Sequence, residues 1–337
     1  MMPRGSRDEQ PEAIRLEPRL FARLGEKKAR LDLHRPLTPA IARRLHEDLR
    51  IRLTYHSNAI EGNTLTLRET QVVIEEGITI GGHSLREHLE ATNHARAFDE
   101  LRHFVETGAS ITIETVHRFH ALVLHDLDET AGHWREQQVY IRGSNHLPPP
   151  ARQVPDYMAQ WVNWLTGGGL QYHPVVRAAI AHHGFVAVHP YLDGNGRCAR
   201  LLLNLQLLRD GYAPAFLLRE WKLRYLEALH AADADEYRPL VNLIGQAVEA
   251  GLDFYLEACA AVPDEQYQPL TELALHSGYD NNYLGLLARS GKLEARKWNR
   301  RWYATAAALA RYEHEAQAEP RGRPGSRRQP KKLPPSS

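Results

Sequence analysis

The run His189-Pro190-Tyr191-Leu192-Asp193-Gly194-Asn195-Gly196-Arg197-Cys198-Ala199-Arg200 lies between two helical patterns and sets how the chain around it is read. Its two glycines let the backbone turn tightly and approach a ligand without a Cβ in the way. A helix that starts there leaves amide N–H groups unpaired and points its positive dipole end at the turn. Gly194, Asn195 and Gly196 therefore make an anion nest suited to phosphate oxygens. Arg197 and Arg200 are three residues apart, so both project to one side of the new helix and can clamp a polyphosphate. Positive charge at a helix start is unfavourable unless an anion is bound, which favours the ligand reading. Asp193 adds a hard oxygen suited to Mg²⁺ shared with phosphate oxygens. His189, four residues earlier, can take a proton near neutral pH. Base, metal ligand, nest and clamp within twelve residues describe phosphoryl or nucleotidyl transfer.

The surrounding chain is helical in pattern. Apolar residues recur at three- and four-residue spacing in Ile41–His56, Leu85–Thr107, Thr112–Leu124, Pro155–Leu165, Val175–Val188, Arg197–Arg209 and Lys222–Ala232. Only Gln137–Gly143, with β-branched and aromatic residues before a Gly-Ser-Asn turn, reads as a strand or hairpin. The fold expected is mostly α, with a small β-hairpin flap. The chain has 337 residues, 43% hydrophobic and 25% charged, enough for a real core. No apolar run is long enough to span a membrane, and no h-region of a secretory signal follows Met1, so no membrane partner is expected. Cys198 and Cys259 have no disulfide or metal spacing, and the expected location is a reducing cytoplasm. Nor do the 19 histidines suggest a metal cluster, because His182 and His183 are adjacent and face different ways.

The twelve-residue run resembles the signature of the Fic domain family, H-P-F-x-D-G-N-G-R-x-x-R, with Tyr191 where phenylalanine is usual. Gly132-His133-Trp134-Arg135, then Val139-Tyr140-Ile141 and Gly143-Ser144, look like that family's flap, which positions the target's modifiable segment. The resemblance implies a Fic-type helical bundle core and transfer of AMP from ATP to a Ser, Thr or Tyr hydroxyl of a target protein. His189 is then the general base and Asp193 the Mg²⁺ ligand. Gly194, Asn195 and Gly196 form the nest, and Arg197 and Arg200 bind the β- and γ-phosphates. Glycine at 196, where the kinase-like Doc branch has lysine, argues for nucleotidyl transfer over phosphorylation.

Ser57–Asn63, SNAIEGN, matches the family's inhibitory pattern [S/T]-x-x-x-E-[G/N]. Ser57 and Glu61 are four apart on one helix face, and Gly62 ends the helix. The resemblance implies the N-terminal, class II arrangement, with Glu61 pairing with Arg200 and blocking the γ-phosphate side. In some such proteins the same glutamate positions water for AMP removal, the alternative reaction at this site.

The C-terminal part differs in charge. Of the chain's 42 Lys and Arg and 41 Asp and Glu, 13 and 4 fall in residues 289–337, leaving an acidic body and a basic end. Two short helices at Leu270–Gly278 and Tyr283–Ser290 precede the basic-aromatic run Glu294–Tyr303. There Asn299 can turn a hairpin, and Thr305 can cap a last helix. This resembles winged-helix modules appended to Fic cores and suits DNA contact, with the core then modifying itself or a partner as a switch. The opposing reading is a module that packs on the core or mediates homodimer formation. The organisation expected is a helical region 1–111 with the inhibitory helix at about 54–62, a catalytic core 112–262, a winged-helix-like module 263–319 and a disordered basic tail 320–337.

Overall fold

The computed structural model describes residues 14–141, 143–260 and 266–318, so the basic tail and the segment around the expected 262/263 boundary lie outside the described residues. The chain divides into two compact units. One holds the chain up to Lys28 together with Glu47–Phe254, and the other Ala29–His46 with the chain from Tyr255 onward.

The larger unit is all-helical. Helices α7 (Pro174–Val188) and α8 (Asn195–Arg209) pack on each other, and α8 also packs on α4 (Leu85–Thr107) and α5 (Ile113–Val123). Twelve of the fifteen residues in α7 and twelve of the fifteen in α8 are buried. Such helices lack a solvent stripe and must sit inside a bundle. α6 (Val154–Thr166) lies against α7, and its buried Trp161 donates from Nε1 to the Ala181 carbonyl at 2.8 Å. α2 (Pro39–Glu61), α3 (Leu67–Glu76) and α9 (Lys222–Asp233) complete the site's surroundings. Thr66, Ser84 and Thr112 begin α3, α4 and α5 with reciprocal capping boxes, which fix where each helix starts. α1 (Pro18–Leu33), α3 and α10 (Arg238–Ala260) are helices that the periodicity reading did not single out.

The strand or hairpin expected over Gln137–Gly143 does not form a ladder in the described residues. Side chains take two of its carbonyls and the Ser144 N–H takes that of Ile141. Arg135 Nη1 donates to the Gln137 carbonyl at 2.9 Å, and Gln138 Nε2 to those of Val139 and Pro148 at 3.3 and 3.0 Å. Val139 and Ile141 are half-buried, whereas Tyr140 is 80% exposed.

The second unit contains a three-stranded antiparallel sheet in the order β1-β3-β2, from β1 (Tyr267–Pro269), β2 (Ala295–Trp298) and β3 (Arg301–Thr305). Asn299 and Arg300 both have positive φ, 46° and 66°, as a two-residue type I′ hairpin requires. α11 (Leu270–Ser277), α12 (Asn281–Arg289) and α13 (Ala306–Ala318) cover the sheet around Leu270, Leu273, Leu284, Leu287, Leu293 and Leu309. Thr305 Oγ1 accepts the Ala308 N–H at 2.9 Å, the cap expected for the last helix.

One close approach in the larger unit is testable. A Cβ at Gly251 of α10 would collide with the Pro214 carbonyl, a backbone atom that cannot swing aside. Gly251→Ala is expected to lower stability by about 1–3 kcal/mol in urea unfolding, despite alanine's better helix propensity.

Candidate active site

The loop between α7 and α8 is held by nearly every polar group it has. His189 ends α7 in the left-handed region at φ 49° and ψ 60°, with its N–H on the Phe185 carbonyl at 3.0 Å. Buried Arg135 holds the loop from behind, donating from Nε to the His189 carbonyl at 2.8 Å and from Nη2 to that of Pro149 at 2.6 Å. Its backbone N–H reaches the Pro190 carbonyl at 3.0 Å. The Asn195 side chain accepts from the Tyr191 N–H at 3.0 Å and donates to the Tyr191 carbonyl at 2.9 Å, clipping the turn to the helix it begins. Tyr191 is fully buried and stacks on His120 with ring centroids 3.4 Å apart, so the aromatic anchors the loop. His120 Nδ1 accepts the Gly132 N–H at 2.9 Å, which leaves Nε2–H to donate to the Asp193 carbonyl at 2.9 Å.

Gly194 sits at the N-cap of α8 at φ 75°, and a Cβ there would press on His120 and Leu124. No side chain caps this helix, so its first-turn N–H groups face the loop as an anion site. The Glu61 carboxylate lies over Gly196, where a Cβ would collide with Oε1.

Arg197 and Arg200 are buried at 2% and 5% exposure, and each has carboxylate partners. Arg200 Nη2 donates to Glu61 Oε1 at 2.8 Å and to the Ser57 carbonyl at 2.9 Å, while its Nε reaches Ser57 Oγ at 2.9 Å. Arg197 Nη1 lies 3.1 Å from Glu90 Oε1, and its Nη2 3.4 Å from Asp193 Oδ1. Burial, the largest single influence, would lower the Arg200 guanidinium, but the charge and hydrogen bonding of Glu61 and Tyr225 together raise its pKa. Nε and Nη1 of Arg197 and Nη1 of Arg200 are buried without a hydrogen bond of good geometry. Donors of that kind fit phosphate oxygens. Among the described residues no group of three or more His, Cys, Asp or Glu side chains could hold a metal. Asp193 is a single, 46% exposed carboxylate, which suits a Mg²⁺ ion carried largely by phosphate oxygens and water.

Burial, with help from the Arg135 charge, pushes His189 down to about 4, so its imidazole is neutral at pH 7. Cys198 is fully buried and burial pushes its thiol up, so it stays protonated and unreactive. The structure thus brings His189, Asp193, Gly194, Asn195, Gly196, Arg197, Arg200, Ser57 and Glu61 into one region. Sequence reasoning assigned no role to Arg86, Glu90 or His120, and named Arg135 only within the flap. The signal for the first two was the polar side of α4, where Asn93 and His94 are also buried.

A scan against family models matches residues 110–207 to the Fic/DOC family. A curated relative, "Protein adenylyltransferase Fic" of Drosophila willistoni, is 34% identical over 252 residues, which are 74% of this chain and 50% of that protein. The chain therefore spans about half the length of the curated relatives it matches. Among solved structures, a fragment of C. elegans Fic-1 (residues 134–508) superposes with a TM-score of 0.65 at 34% identity, covering 72% of this chain and 74% of the fragment. A Fic family protein from Desulfovibrio desulfuricans G20 superposes with a TM-score of 0.61 at 26% identity, covering 88% and 98%.

The buried imidazoles make stability pH-dependent. Burial lowers His94 and His182 to about 3, and His120 and His189 to about 4, against 6.5 in the unfolded chain. The folded pKa lies below the unfolded one, so the contribution is complete above about pH 6.5 and is lost as pH falls towards 4. Each site adds a slope of up to about 1.4 kcal/mol per pH unit in that window. Urea midpoints are expected to drop steeply between pH 7 and 5, above the range where carboxylates titrate; a flat profile there would contradict the assignment.

Proposed function

The chain belongs to the Fic/DOC family, and from that premise we propose that it transfers AMP from ATP to a Ser, Thr or Tyr hydroxyl of a target protein. The observation that carries this reading is a neutral histidine on the same clipped loop as an uncapped helix N-terminus and two buried guanidiniums with unmet donors. His189 takes the hydroxyl proton as the oxygen attacks the α-phosphorus. The new O–P bond forms as the bond to the β-phosphate breaks, and pyrophosphate leaves. Negative charge grows on oxygens that the first-turn N–H groups and Arg197 already face, so little reorganisation is needed. Mg²⁺, bound with the nucleotide through Asp193, would supply neutralisation of the phosphate charge. Val139, Tyr140 and Ile141 present exposed and half-buried groups just after Gln137, whose carbonyl shares Arg135 with that of His189, and suit contact with the target's modifiable segment.

The site is self-inhibited in this reading. Glu61 holds Arg200 and overlies Gly196, so it occupies both the second clamp and the mouth of the nest. A γ-phosphate must displace it, which lowers productive affinity for ATP. Ser57 binds the same guanidinium through both its hydroxyl and its carbonyl, fixing the end of α2 against α8. Glu61 is 39% exposed and can also meet water, which keeps AMP removal as the alternative reaction of this site.

The second unit supports a further reading, DNA contact by a winged-helix-like module. Arg289, Lys292, Arg296, Lys297, Arg300 and Arg301 are all exposed, around half-buried Trp298, Trp302 and Tyr303. This arrangement suits phosphate contacts beside sugar packing.

Two measurements test these readings. With α-labelled ATP and the full chain, Glu61→Gly is expected to raise labelling of protein at least several-fold, and His189→Ala to abolish it. Equal labelling by wild type and the Glu61 variant would remove the inhibitory role. Duplex DNA titrated at 50 and 200 mM salt is expected to bind with strong salt dependence; salt-insensitive or absent binding would exclude the DNA reading.

A further inference from the structure

Asp193 does not present free oxygens in this structure. Its Oδ2 accepts from Arg86 Nη2 at 2.6 Å, while its Oδ1 accepts the Gly194 N–H at 2.6 Å and faces Arg197 Nη2 at 3.4 Å. Arg86 comes from the first turn of α4, on a different part of the chain from the loop. Glu90, one turn further along, steers it. Glu90 Oε1 accepts from Arg86 Nε at 3.3 Å and also pairs with Arg197 Nη1 at 3.1 Å, and Glu90 Oε2 accepts from Asn63 Nδ2 at 3.0 Å. The result is an alternation of charge, Arg197–Glu90–Arg86–Asp193, closed by the Asp193–Arg197 contact.

The two arginines in this ring differ in freedom. The Arg197 side chain is 3% exposed and cannot leave without stranding a buried charge, whereas that of Arg86 is 54% exposed and can swing into solvent. Of the two carboxylate oxygens, the one Arg86 holds is therefore the exchangeable one. We propose that Arg86 is a surrogate cation for Asp193: its guanidinium occupies the oxygen that a divalent cation takes, and the cation must displace it to bind. Arg86 is thus a positioning residue that sets how readily the site accepts metal before nucleotide arrives. The proposal rests on the reading of Asp193 as the cation ligand.

The test measures metal binding and not turnover. Mn²⁺ is titrated into the nucleotide-free full chain and free Mn²⁺ is read by electron paramagnetic resonance, for wild type, Arg86→Gln, Arg86→Lys and Asp193→Asn. Arg86→Gln is expected to bind Mn²⁺ about two- to fivefold more tightly than wild type, the range an exposed ion pair supports. Arg86→Lys, which keeps the charge, is expected to stay near wild type, and Asp193→Asn to lose the site. Arg86→Gln binding no more tightly than wild type, with Asp193→Asn still losing the site, overturns the surrogate role and leaves the ligand reading intact. No Mn²⁺ binding by Arg86→Gln overturns the surrogate role as well, and wild-type binding by Asp193→Asn overturns the ligand reading itself.

Discussion

A buried guanidinium has to be answered by negative charge, and much of this fold follows from having two of them three residues apart. Arg197 and Arg200 sit on a helix that is interior on most of its surface, so neither can be solvated by leaning outward. The counter-charges arrive from elsewhere, Glu61 from the end of α2 and Glu90 from α4. Leaving either arginine unpaired in such a place costs several kcal/mol. The N-terminal helices are therefore electrostatic complements of the loop as well as packing partners. A polyanionic ligand competes for the same guanidiniums, so closure of the site and stability of the nucleotide-free fold draw on one set of bonds.

How much of this was legible in the sequence depended on how local the cause was. Helices α4, α5, α7 and α8 announced themselves by apolar spacing, and the loop chemistry by twelve adjacent residues. The Ser57–Glu61 element was readable because its two side chains share one helical face, and the resemblance pointed to their arginine. In the second unit, Asn299 was legible as a turn residue because a two-residue hairpin needs positive φ. What escaped had non-local causes. Gln137–Gly143 has strand composition, but its Gln137 and Val139 carbonyls are taken by the Arg135 and Gln138 side chains and that of Ile141 by the Ser144 N–H, and composition alone does not reveal that competition. Arg86 and Glu90 look like an ordinary i, i+4 surface pair until α4 is laid across the loop. His120 reads as one histidine among 19, and only the fold shows that it receives Gly132 on one nitrogen and holds Asp193 with the other.

The loop also illustrates where rigidity is placed. Carbonyls of His189, Pro190, Tyr191 and Asp193 each have a donor, and the donors are side chains or backbone from α5, α8 and the Arg135 segment. Among the buried groups left without a hydrogen bond are guanidinium nitrogens of Arg197 and Arg200 on the helix that follows. A frame in which acceptors are satisfied and donors are held ready selects for anions before any contact with one.

The lack of a side chain at residue 196 has an implication for how such a chain can change over generations. The Glu61 carboxylate rests where a methyl group would stand, and a phosphate bound as proposed would need the same bare backbone. Drift at that codon would evict the carboxylate and crowd the loop in one step, so the restraint proposed for Glu61 would not be shed there without harm to the proposed cradle. Were Glu61 such a restraint, a lineage could abandon it at residue 61, where the carboxylate can vanish while the bare backbone beneath it survives.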